Sequence, residues 1–176
     1  MGLIGHLQGE SPMTPSASVA QRFVPALRIA NLTRRVYVAD LPTWILEVFR
    51  QLDDLTGSRR AGGHLVIYHG AVNTDNDGPA EVCTPFTGSL TVPEGVSVRE
   101  EPAHHEAFMT LTRAQFEFPN ILLAYDATCA FAQAHGRSSF LSLREVYCQV
   151  DGEASRAEDL VDDVAWPFIP ARREES

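Results

Sequence analysis

Glu145 is the residue of this chain with the clearest chemical promise. It stands in the tract Arg144-Glu145-Val146-Tyr147, which reads as a strand. A carboxylate set among aromatic rings is desolvated, so its pKa should rise while the site is empty, and a cation beside it restores the lost solvation. The competing account is a solvated strand carboxylate paired with Arg144, and the residues alone leave both open. The aromatic residues that could line a site are Tyr37, Trp44, Tyr68, Phe108, Phe116, Phe118, Tyr125, Tyr147 and Trp166. Flat rings suit flat ligands, and ring faces attract cations. Core packing is the ordinary alternative for each of them, above all for Trp44. The candidate ligand-binding set is Glu145, Tyr147, Tyr68, Trp166, Tyr125, Phe116, Phe108 and Trp44.

Other chemistries have less to stand on. His104-His105-Glu106 invites a metal, but adjacent histidines on a strand point to opposite faces and chelate poorly together. His64 and His69 have no third ligand at a standard spacing, so no metal is expected. Cys83, Cys129 and Cys148 form no CxxC pair, which argues against a zinc site or a disulfide framework. Cys83 follows Glu81 with no evident base to activate it. No GxSxG elbow is present.

These side chains need elements to carry them. Residues 1–25 are rich in Ser, Pro, Gly and Gln without a period, and read as a mobile tail. A strand is expected over 26–39. Asp40 then stands at an N-cap position, with Pro42 in the first turn. Leu41, Trp44, Ile45, Val48, Phe49, Leu52 and Leu55 follow at helical spacing, and Gly57 closes the helix. Leu65–Tyr68, Glu81–Phe86, Val96–Glu100 and Ala107–Leu111 read as strands. Pro119 opens a second helix with the stripe Ile121, Leu122, Tyr125, Cys129 and Ala132, closed by Gly136. Arg144–Val150 and Asp163–Phe168 read as the last strands.

The chain repeats itself. Glu81-Val82-Cys83-Thr84-Pro85-Phe86 and Asp163-Val164-Ala165-Trp166-Pro167-Phe168 share the pattern acid-Val-x-x-Pro-Phe. Each follows a strand carrying a tyrosine, Tyr68 or Tyr147. Those tyrosines lie 26 residues beyond Pro42 and 28 beyond Pro119. The expected fold is therefore α+β, with duplicated βαββ halves forming one antiparallel sheet and two main helices on one face. Val66 is the first-half counterpart of Glu145. A cleft between splayed helices is where a ligand site belongs.

Composition narrows the partners. Net charge is −9, and all the basic residues are arginines. An acidic chain without a basic stripe or a helix-turn-helix is not expected to contact nucleic acid directly. No run approaches the roughly 18 apolar residues of a membrane span, and no signal peptide is visible, so no membrane partner and a cytoplasmic location are expected.

The tracts Arg144–Tyr147, Val164–Phe168 and Phe131-Ala132-Gln133-Ala134-His135-Gly136 resemble the C-terminal signature of GyrI-like domains. Leu65–His69 and Glu81–Pro85 resemble the first-half strands. The resemblance spans 26–169, inside an expected domain of 26–170 followed by a tail of 171–176. It implies a stand-alone effector-binding domain that takes bulky hydrophobic, often cationic, aromatic compounds between its helices, with Glu145 facing the cleft. It also leaves open a hydrolase that opens cyclopropane rings of DNA-alkylating compounds, with Glu145 catalytic. An inhibitor of a DNA enzyme such as gyrase, or sensing through a separate regulatory protein, is open too. Kinship with SOUL proteins raises haem, but the likeness is to the drug-binding branch, so no cofactor is expected. Many members carry a Gly-Pro-Tyr-like turn before the second helix. Gln115-Phe116-Glu117-Phe118-Pro119 stands there instead, which predicts a more apolar rim.

Overall fold

The computed structural model describes residues 18–148 and 160–172. Strand β1 (Ala20–Val24) leads into β2 (Leu27–Val36), helix α1 (Leu41–Thr56), β3 (His64–Tyr68) and β4 (Gly78–Pro85). Then come β5 (Ser97–Glu101), β6 (His104–Thr112), the short α2 (Arg113–Phe116) and α3 (Ile121–His135). The last strands are β7 (Gly136–Ser138), β8 (Arg144–Tyr147) and β9 (Leu160–Pro170).

All described pairings are antiparallel, and the sheet order is β1-β6-β9-β8-β3-β4-β2-β5, with β7 beside β9. The order has a centre. The first half contributes β2-β4-β3, the second β6-β9-β8, and the two meet at the β3–β8 seam, where Val66 pairs with Glu145. The registers repeat as well. Tyr68 pairs with Ala80 and Ala30 with Thr84 in the first half. Tyr147 pairs with Asp162 and Ala107 with Trp166 in the second. Tyr68 and Tyr147 therefore hold equivalent ladder positions, as the repeated motif requires.

Alternation assigns each side chain a face. Ala30, Val66, Ala80 and Val82 join Trp44, Ile45, Val48, Phe49 and Leu52 of α1 in one core. Met109, Leu111 and Val164 lie on the same face, under Ile121 and Ala124 of α3. Both main helices thus cover one side.

The sheet must also curl. β1 and β2 are joined by two residues but stand six positions apart in the sheet. Six spacings in a flat sheet would span about 29 Å, while the three peptide units from Val24 to Leu27 reach about 11 Å. Only a curled sheet, with its two ends drawn together, lets the chain make that crossing.

Four expectations need correction. Residues 20–24, read as tail, form β1, because Arg22 and Phe23 have partners on β6; residues 1–17 lie outside the described ones. Asp40 stands at the N-cap of α1 but makes no capping bond, since its helical φ/ψ turns the side chain away. The buried stripe of α3 is Ile121, Ala124, Thr128 and Ala132, while Leu122 is exposed. Ile121-Leu122-Leu123-Ala124-Tyr125 is apolar all round, so spacing could not choose the face. β8 ends at Tyr147, and 149–150 lie outside the described residues.

Candidate functional site

The seam between the halves gathers the chemistry. Along β3 and β8, alternation turns His64, Val66, Tyr68, Glu145 and Tyr147 to the helix side. Glu145 is only 4% exposed. Tyr147 donates its hydroxyl to Oε2 of Glu145 at 2.8 Å. From α3, Tyr125 donates to Oε1. The Tyr68 hydroxyl also favours the charged form of the carboxyl group. Asp162, the ladder partner of Tyr147, is buried nearby and accepts the backbone N–H of Cys148 at 2.8 Å.

Burial pushes the Glu145 carboxyl above its ordinary range, and the nearby Asp162 charge pushes the same way. The three tyrosine hydroxyls favour the charged form and only partly offset this. The tyrosines respond in turn. Burial first, then the Glu145 charge, pushes Tyr68, Tyr125 and Tyr147 up, so all three stay protonated donors. The arrangement is a desolvated carboxyl in a ring of phenols, suited to meeting positive charge or to holding and releasing a proton.

Aromatic residues from both helices close over the seam. Phe116 of α2 meets Tyr147 edge-on at 5.3 Å, and Phe49 of α1 does so at 5.0 Å. Phe49 also stacks on His64 at 4.1 Å. The expected open cleft is therefore a closed seam packed with aromatic rings.

The structure brings Glu145, Tyr68, Tyr125, Tyr147 and Phe116 together. Trp44 belongs to the α1 core against which Tyr68 and Tyr147 pack. Trp166 shares the face but packs with Phe131, Ala132 and Phe168, in a separate cluster. Phe108 lies on the opposite face, beneath the Arg22 guanidinium at 4.0 Å. Its alternation with Ala107 and Met109 carried that signal, because the more apolar set takes the helix side. Arg144 does not pair with Glu145 either. It points to the other face and donates Nη1 to Glu101 at 2.6 Å. Sequence reading missed Phe49, His64 and Asp162 as neighbours of the site. The two-residue step from Tyr68 to His64, and the pairing implied by the repeat for Asp162, held that information.

The thiol of Cys83 is buried and pushed well up by burial and by Glu81, so it is held protonated. Among the described residues, no group of three or more His, Cys, Asp or Glu side chains is placed to hold a metal ion. None of the described helices is long and apolar enough to cross a membrane.

Neither a family model nor a curated protein matches this sequence. Solved structures do match its fold. The C-terminal domain of EcmrR aligns over 89% of this chain and 99% of its own, with a TM-score of 0.74 at 11% identity. In the EcmrR–DNA complex the match covers 86% of this chain and 57% of that longer one, with a TM-score of 0.72 at 12% identity. The chain has the fold of the EcmrR C-terminal domain. SAV2435 bound to tetraphenylphosphonium aligns over 85% of this chain and 93% of its own, with a TM-score of 0.58 at 10% identity. A hydrolase from Listeria innocua aligns over 85% and 91%, with a TM-score of 0.51 at 7% identity.

Proposed function

We propose that this chain binds bulky aromatic cations at the β3–β8 seam, with Glu145 as the counter-charge and Tyr68, Tyr125, Tyr147 and Phe116 as its aromatic walls. One observation carries this reading. Glu145 is buried, and the groups acting most strongly on it are three phenols and a second carboxylate, none of them basic. A carboxyl so placed is costly to ionise until a cation arrives. The fold shared with SAV2435 bound to tetraphenylphosphonium supports the same reading. Entry requires Phe116 and Tyr125 to turn aside, opening the seam between α1 and α3. The protein then serves sequestration, or sensing through a separate partner.

Tetraphenylphosphonium and the neutral triphenylphosphine oxide test this directly. A close charge in a partly desolvated site is worth about 1–3 kcal/mol, so Glu145→Gln should weaken the cation roughly 5- to 150-fold. The neutral compound should lose far less, because ring contacts persist. In wild type, cation affinity should climb as pH rises through the elevated Glu145 pKa and flatten above it. Equal losses for both compounds, or none for either, would overturn the assignment.

A second reading shares the seam. A protonated Glu145 beside Asp162 and phenol donors has the groups for acid–base opening of a strained ring. Turnover of a cyclopropane-bearing electrophile by wild type, abolished in Glu145→Gln, is its signature.

A further inference from the structure

The face of the sheet away from the helices holds a second cluster with its own cavity. Two buried carboxylates, Glu106 on β6 and Asp163 on β9, stand on this face with the ring of Phe108. Arg22 of β1 fills the place between them. Its Nε donates to Glu106 and its Nη1 to Asp163, both at 2.8 Å, and its guanidinium lies 4.0 Å from the Phe108 ring centroid. Thr110 donates to the other oxygen of Asp163 at 2.6 Å, and Nε2 of His104 lies 3.1 Å from the other oxygen of Glu106. Arg22, Glu106 and Asp163 also line a cavity of about 260 Å³, walled by Pro25, Leu27, Leu65 and Val146. That is room for roughly eight waters, or for a compound of about as many heavy atoms.

We propose that Glu106, Asp163 and Phe108 form a second cation site, which the chain's own Arg22 occupies and which a small guanidinium- or amidinium-bearing compound enters from this cavity by displacing it. Three features favour it. A fork of two carboxylates under a ring face matches a planar guanidinium in both shape and charge. Of the charged groups lining the cavity, Arg22 aside, three are carboxylates, Glu101, Glu106 and Asp163, and one is an arginine, Arg144, with His104 beside Glu106, so the place Arg22 fills favours a cation over an anion. The occupant is also the replaceable part. Arg22 is a third exposed, and it sits on a five-residue edge strand held by β6 on one side. Carboxylates and ring, by contrast, belong to the paired strands β6 and β9. Arg22 acts as a tethered competitor, and the guest's apparent affinity is reduced by the fraction of time the site is filled. The proposal stands apart from the Glu145 reading, since it shares no residue with that site.

Benzamidinium is the probe. Titrated by calorimetry into the full chain, it should bind Arg22→Ala at least about tenfold more tightly than wild type, because the competitor is gone. Adding Asp163→Asn to Arg22→Ala should return affinity to the wild-type level or below. In wild type, the Arg22 Nε–Hε resonance should shift saturably as the guest displaces it. Arg22→Gln repeats the comparison should the alanine variant fold poorly. No gain on removing Arg22, a gain that survives Asp163→Asn, or an unmoved Arg22 resonance at saturation would each overturn the proposal.

Discussion

Glu145 is stable as a carboxylic acid and strained as a carboxylate. Its folded pKa lies above the ordinary value, so the unfolded chain releases the proton first as pH rises. Stability is therefore lost between the ordinary value of about 4.3 and the raised folded pKa, and stays lost above it. Glu145→Gln keeps the shape and removes the ionisation. It should raise the melting temperature above that window, with the gain vanishing in acid. Thermal melts of both proteins from pH 4 to 8 check this, and a gain that is constant across pH would show that ionisation is not its source. A group that costs stability at neutral pH is what a ligand counter-charge looks like when the ligand is absent.

At the scale of elements, the site depends on how closely β3 approaches β8. Gly63 stands one residue before β3, and a Cβ there would overlap the backbone oxygen of Tyr147. Backbone cannot swing aside as a side-chain tip can. Gly63→Ala should push the end of β8 outward, move Tyr147 off Glu145 and weaken tetraphenylphosphonium binding, with a stability loss of about 1–3 kcal/mol. Calorimetry and chemical denaturation read the two effects separately. An unchanged affinity would mean the seam tolerates the shift.

The whole molecule sets two carboxyl populations of opposite sign on the two faces of one sheet. Burial alone would raise Glu101 and Glu106, but Arg144 and Arg99 outweigh it at Glu101, as His104 and Arg22 do at Glu106, and both carboxyls lie below their ordinary range. Their contribution is present above the unfolded value and lost as pH falls through the folded one. Stability should thus peak between an acid limb set by the ion-pair face and an alkaline decline set by Glu145. Arg144 is buried with Glu101, so Arg144→Met should cost about 1–3 kcal/mol by leaving the buried carboxylate to Arg99 alone. It should also move the acid limb to higher pH. Urea melts between pH 2 and 7 give both numbers, and an acid limb that does not move would remove Glu101 as its cause.

The sequence by itself determined the duplication, because acid-Val-x-x-Pro-Phe and the tyrosine before it recur in order. It also determined α1, whose apolar residues keep helical spacing, and the grouping of Tyr68, Tyr147 and Glu145, which follows from alternation on strands that the repeat makes equivalent. These are local periodicities, written along the chain. Only the tertiary structure decided which stripe of α3 was buried and that residues 20–24 joined the sheet. Each depends on a partner distant in sequence. β1 is an edge strand made worthwhile by Glu106 and Asp163, 84 and 141 residues from Arg22. The closure of the seam by Phe49 and Phe116 is of the same kind, since two helices must first dock on one curled sheet before their rings can meet Tyr147.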